Sequence, residues 1–379
     1  MAIDMVNGSG KNEEHIIFGD QLRKARETVQ LLPKEVAGQL GIDREEILDW
    51  ENERAKPNLH QLELLAQLYG REIDYFLKET PSAPLQIQFR SVTERSFTEL
   101  SLEARKVIGA FDELCRTAFE LERVLGKIRP PEIAHVPKSQ SPVDLARDQR
   151  KMLGFYEKPI SNLRDRLMDR GGRIFELDVP AGQFSGFSYW HRDYGPCILI
   201  NINDLLGRKN FTLAHEYAHL LYDHAPSVCD ISEEAGPTST GDERLADVFA
   251  VEFLLPLELV HDDFSMRGLT QRPSIQEVGR MAGRWRVSVQ AMFYRLEDLR
   301  LVERGYAREL LASYRPPHPR TPRGPRLVRR MYKRVGKPFV SNSIEAYRDG
   351  HISLGKLAHS LGLPIRTALE VAERHSERY

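Results

Sequence analysis

Phe211-Thr212-Leu213-Ala214-His215-Glu216-Tyr217-Ala218-His219-Leu220-Leu221 contains no helix breaker, and its apolar residues recur at helical spacing. On a helix, residues four apart share a face, so His215 and His219 point the same way and Glu216 sits at the edge of that face. Two imidazoles at i and i+4 suit a tetrahedral metal. A glutamate beside them suits a general base acting on water at that metal. The bland alternative is a surface helix with two solvated histidines.

A catalytic metal needs a third protein ligand. Glu243-Arg244-Leu245-Ala246-Asp247 offers Glu243 for that place, with Asp247 one turn on to engage the other ring nitrogen of a ligand histidine. His224, Asp223, Asp230, Glu252 and Cys229 are rivals for the third position, and the bland reading of Glu243 alone, disfavoured given the upstream motif, is a solvated first-turn glutamate. Tyr189, His191 and Tyr194 lie in a strand-and-turn region upstream and are the candidates for stabilising an oxyanion, against a structural role.

The chain of 379 residues is long enough for two or three domains, and its net charge of −1 gives no global polyelectrolyte character. Cys115, Cys197 and Cys229 are odd in number and form no C-x-x-C pair, which points away from a disulfide framework and towards a reducing cytoplasm. Residues 1–15 are polar and carry no apolar signal segment, and no apolar run is long enough to span a membrane.

Residues 16–79 read as about five short helices. Pro33 opens the second, Gly41 turns after it, and Ile47 and Trp50 mark the third. Residues 80–142 read as a linker with a long helix whose apolar stripe (Ile108, Phe111, Cys115, Leu121) suits domain packing or a homodimer seam. Residues 143–300 alternate helices with strands near 173–179, 184–190 and 197–201, and Pro256 stops the helix that starts at Glu243. Residues 301–379 begin with a basic segment: Arg315 to Lys337 holds nine bases and no acid, with prolines keeping its first half extended. Helices follow at 341–350 and 354–362, and Gly355 to Pro364 has a weak helix-then-turn pattern.

The run from Glu35 to Ile42, followed by Ile47 to Pro57, resembles the helix-turn-helix of the phage-repressor and Cro-like family. That resemblance implies DNA binding through the third helix, and Arg44, Arg54 and Lys56 are the candidate DNA-binding residues here. Residues 16–79 nonetheless carry thirteen acids against nine bases, and Asp43, Glu45, Glu46, Asp49 and Glu51 crowd the reading helix. An acidic reading face opposes phosphate contact, so a protein-docking module of the same fold is the competing reading. Arg329 and Arg330 in the basic tail are the alternative DNA contacts.

Ile200-Asn201, Phe211 to His219, Glu243 to Ala250 and Leu254-Leu255-Pro256 together resemble the ImmA/IrrE metallopeptidase family, over roughly residues 143–300. The resemblance implies an α+β gluzincin-like metallopeptidase domain, often preceded by a helix-turn-helix domain. With the helices read near the C-terminus, the expected chain is multidomain: an all-α helix-turn-helix bundle, then this α+β domain, then a small helical C-terminal segment. It carries the metal ligands onto His215, His219 and Glu243 and the general base onto Glu216. The implied cofactor is one divalent ion, zinc, with manganese or iron as alternatives. The implied activity is cleavage of a regulatory protein, typically a transcriptional repressor, in stress-response or mobile-element control. A DNA-binding regulator that senses without cleaving is the runner-up.

Overall fold

A computed structural model describes residues 17–77, 100–223, 228–229, 241–312, 314 and 326–376. The N-terminal tail, the proline-containing linker after residue 79 and the first half of the basic segment lie outside the described residues. The chain divides into two compact units, with the division falling inside one long helix between Leu114 and Cys115.

The first unit contains α1 (Ile17–Thr28), α2 (Pro33–Leu40), α3 (Arg44–Glu51), α4 (Leu59–Tyr69), α5 (Ile73–Phe76) and the start of α6 (Leu102–Val124). Pro33 opens α2, where its missing N–H costs nothing. Asn58 and Gln61 form a reciprocal capping box on α4. Leu22, Ala25, Val36, Ile47, Trp50, Leu62 and Leu65 build the core. Charged groups are buried in this unit as pairs, among them Arg26, which donates from Nε to Glu51 Oε1 at 2.6 Å and from Nη2 to Oε2 at 2.9 Å. This is the helical bundle expected from the sequence. Ile108, Phe111, Cys115 and Leu121 of the α6 apolar stripe are buried.

The second unit follows the end of α6 with α7 (Pro142–Met152), α8 (Leu163–Met168), β1 (Arg173–Leu177), β2 (Gly186–His191), β3 (Gly195–Asn201), α9 (Leu206–Leu221), β4 (Val228–Cys229) and α10 (Asp242–Leu254). Then come α11 (Leu257–Met266), α12 (Ile275–Trp285), α13 (Val289–Asp298), α14 (Tyr306–Leu311), α15 (Arg326–Arg348), α16 (Leu354–Leu361) and α17 (Ile365–Ser376). The sheet order is β1-β3-β2-β4, with β1 parallel to β3 and the other pairings antiparallel. β3 takes the centre because every residue in it is buried, as its unbroken apolar run Pro196 to Ile200 requires.

On β2, Phe187, Tyr189 and His191 stack along one face and Gly186 and Ser188 meet α9 on the other, as strand alternation dictates. Helices α9 and α10 pack together over the sheet, and Tyr217, Phe249 and Phe253 form an aromatic cluster between them. The two faces of α9 thus meet β2 on one side and α10 on the other.

Several elements differ from the sequence reading, α14 (Tyr306–Leu311) among them. Pro256 ends α10, yet it serves as the N-cap of α11 one residue later, where its fixed φ is compatible with a fresh helix start. The basic segment from Arg326 is helical, and α15 breaks at Gly336 (φ 78°, ψ 163°) just before Pro338. Two-residue strand β4 sits within the polar connection after α9, too short to leave a periodic signal. A last helix, α17, follows Pro364. Among the described residues, no helix is long and apolar enough to cross a membrane.

Candidate metal centre

Helix α9 is buried on all sides from Thr212 to Leu221, and this forces its polar residues to find partners inside the protein. His215, Glu216 and His219 are at most 4% exposed. The i, i+4 spacing brings the two histidines edge to face, with Nε2 atoms 2.9 Å apart.

Helix α10 supplies the third group. Gly241 (φ 65°) precedes it, and Glu243 stands in its first turn with the apolar Ala246, Phe249 and Ala250 buried behind. Glu243 Oε2 lies 3.1 Å from His215 Nε2, and Oε1 lies 3.0 Å from His219 Nε2. One turn on, Asp247 Oδ1 lies 3.0 Å from His215 Nδ1, the ring nitrogen facing away from the cluster. Among the described residues, His215, His219 and Glu243 are the group of side chains that converge closely enough to hold one ion.

Glu216 faces β2. Ser188 donates its hydroxyl to Glu216 Oε2 at 2.5 Å, while Oε1 is buried with no hydrogen-bond partner. Gly186 makes room for that oxygen, since a Cβ at this position would lie 2.8 Å from Oε1 and collide with Thr212. Burial pushes the Glu216 carboxyl above the usual range, and the Glu243 charge adds to this; His219, His215 and Ser188 pull the other way. For Glu243, burial would also raise the carboxyl, but hydrogen bonds from His215 and His219 outweigh it and hold the group well below the usual range.

The donor set fits a divalent cation. The two imidazole nitrogens lie 2.9 Å apart, and each lies 3.0 to 3.1 Å from a different oxygen of the Glu243 carboxylate. A tetrahedral ion with bonds of about 2.0–2.1 Å would set its ligands about 3.3 Å apart, so a small outward adjustment seats it. The unpartnered Glu216 Oε1 is the place a water proton would go.

Two rivals for the third ligand have other partners. Glu252 accepts from Arg295 at 2.7 Å, and Asp223 pairs with His135 at 3.6 Å. His224 and Asp230 lie outside the described residues, as does the side chain of Cys229. The expected oxyanion candidates are not brought to the cluster. Tyr189 and His191 point to the opposite face of β2, and His191 stacks on Tyr194 with ring centroids 3.5 Å apart. Alternation along β2 separates them from Glu216, which the even-numbered Ser188 meets. Sequence reading missed Ser188 and Gly186. The available signal was the small residues on alternate positions of β2, legible only once the face meeting α9 was known.

The proposed DNA contacts occupy exposed positions. Arg44 pairs with Glu45 at 3.3 Å, Arg54 with Asp49 at 3.2 Å, and Lys56 is exposed. Arg329 and Arg330 are exposed on α15, with Arg330 3.1 Å from Asp178.

Comparison with curated proteins returns no match. Residues 22–76 match a family model described as helix-turn-helix, which covers most of α1 and all of α2 to α5. Residues 167–297 match one described as the IrrE N-terminal-like domain, of a peptidase family, which spans the sheet, both cluster helices and α11 to α13. The chain therefore combines an N-terminal helix-turn-helix domain with an IrrE-like metallopeptidase-family domain.

Proposed function

We propose that this chain is a cytoplasmic, metal-dependent endopeptidase of the HExxH gluzincin type that cleaves one regulatory protein, a transcriptional repressor in stress-response or mobile-element control. The observation that carries this reading is the convergence of His215, His219 and Glu243 beside a buried glutamate with a free oxygen. The two family matches support a peptidase joined to gene regulation.

A divalent cation held by His215, His219 and Glu243, zinc by its donor set with manganese or iron as alternatives, would polarise the scissile carbonyl and acidify the attacking water. Glu216 accepts the water proton at Oε1 and returns it to the leaving amine nitrogen. Burial favours this work by raising its pKa above the usual carboxylate range. Ser188 fixes the carboxylate by holding Oε2. Asp247 holds the His215 ring with Nε2 facing Glu243.

The alternative is a DNA-binding regulator whose peptidase-like domain senses without cleaving. Glu216 argues against it, because a buried carboxylate with an unpartnered oxygen is costly and a sensor has no use for it. Glu216→Gln should keep the metal and abolish cleavage of a repressor encoded beside this gene. Full biological activity in that variant would overturn catalysis. His215→Ala should strip the metal, and normal metal content would overturn the ligand assignment.

A further inference from the structure

The two ends of the described chain carry the same local design. Ala37, Leu40, Gly41 and Ile42 correspond to Ala358, Leu361, Gly362 and Leu363 at a constant offset of 321 residues. The structure repeats with the sequence. Helices α2 and α16 both run eight residues and both end at a left-handed glycine, Gly41 (φ 70°) and Gly362 (φ 62°). The residue after each glycine closes the turn on the matching alanine: Ile42 N donates to Ala37 O at 3.1 Å and Leu363 N to Ala358 O at 2.9 Å. The next helix begins at Arg44 in one case and Ile365 in the other. The inward residues Ile47 and Ala368 keep the same offset, and both are buried. By this geometry α16 and α17 are a second helix-turn-helix, although the family match for that motif stops at residue 76.

The two copies differ in charge. Residues 16–79 hold thirteen acids and nine bases, whereas residues 326–376 hold ten bases and four acids. Those bases are not scattered. Arg329, Arg330 and Lys333 are exposed and recur at helical spacing along α15 before its break at Gly336, and Lys337 is exposed just beyond it. Arg334, between them, turns inward instead, donates to Ser360 O at 2.9 Å and packs on Gly362. A Cβ at Gly362 would lie 2.7 Å from its guanidinium, so the basic helix is fitted directly against the turn. At the start of α17, Arg366 is exposed, with Glu370 3.5 Å away.

We propose that α15, α16 and α17 form a DNA-binding module: the exposed bases of α15 take duplex phosphates while the start of α17 enters the major groove. In helix-turn-helix docking, the second helix of the motif offers its N-terminal residues to the bases. Here those are Ile365, Arg366 and Thr367, without the acidic run that α3 presents. Phosphate affinity depends on neutralising charge, and the basic module supplies it where the N-terminal one does not.

The test uses the full chain and a fluorescein-labelled duplex oligonucleotide, read by anisotropy between about 50 and 200 mM salt. The triple reversal Arg329→Glu, Arg330→Glu and Lys333→Glu changes exposed residues only, and circular dichroism verifies that helix content is kept. It should weaken binding at least about tenfold and reduce the slope of log affinity against log salt by about two to three. Arg44→Ala with Arg54→Ala and Lys56→Ala should leave affinity within about twofold. Wild-type affinity and slope in the triple reversal, loss of binding confined to the N-terminal variant, or equal binding to poly-L-glutamate would each overturn the proposal. These readouts are independent of proteolysis, so they stand or fall apart from the peptidase reading.

Discussion

Ser188 on β2 donates its hydroxyl to Glu216 on α9 at 2.5 Å, bridging the sheet to the helix that carries both histidines. That bond stabilises the charged carboxylate against the burial that raises its pKa. Ser188→Ala should therefore raise the Glu216 pKa further. Glu216 works as a base only when ionised, so the acid limb of the pH–rate profile should move to higher pH. The rate at neutral pH should fall on the order of tenfold, part of the roughly 10²–10⁴ that a positioned base supplies. An unmoved acid limb would show that Ser188 does not hold the base.

Gly186→Ala places a methyl 2.8 Å from Glu216 Oε1 and against Thr212. Overpacking of this kind costs about 1–3 kcal/mol, and displacement of the base should lower cleavage by roughly 10²-fold. Metal content should stay near one ion per chain, since the ligands are on other elements. Paired metal analysis and peptide-cleavage assays separate the two effects, and unchanged turnover would refute the crowding argument.

Asp247→Asn removes the charge 3.0 Å from His215 Nδ1 and leaves the Glu243 contacts in place. Loss of such an outer partner typically weakens metal binding 10–100-fold. Competition against a chelator should show that loss, while equal retention in mutant and parent would make Asp247 a surface acid with no part in the site.

Glu51→Ala leaves Arg26 buried with its guanidinium stripped of both carboxylate bonds, and only the bond to Leu31 O remains. Breaking a buried pair from one side costs about 3–5 kcal/mol. Denaturant unfolding of the full chain should show the loss in the N-terminal transition alone, with the metal centre unaffected.

The cluster was legible because helical spacing is a local property: His215 and His219 share a face whatever surrounds them. Glu243 and Asp247 were legible as candidates by the same rule on α10. Ser188 and Gly186 were not, since a strand shows which residues alternate but not which face meets the helix. Tyr189 and His191 were drawn towards the site by closeness in sequence, and the parity of β2 sends them the other way. The helical bundle, the α+β domain and the helical end all followed from periodicity. Among the exceptions were α11, hidden behind Pro256 acting as a cap, and the basic half of α15, where abundant charge masked a helix whose Met331 and Val335 are buried.

His219 and Glu243 lie 24 residues apart along the chain yet within 3.0 Å in space. An ion gripped by both closes a loop and so works as a removable cross-link that the unfolded chain lacks. Free ion at about a hundred times its Kd would add about 2.7 kcal/mol to the folded state. The melting temperature of this domain should then serve as a gauge of available metal, and starvation for that metal would loosen α10 from α9 at the same moment that it silences cleavage.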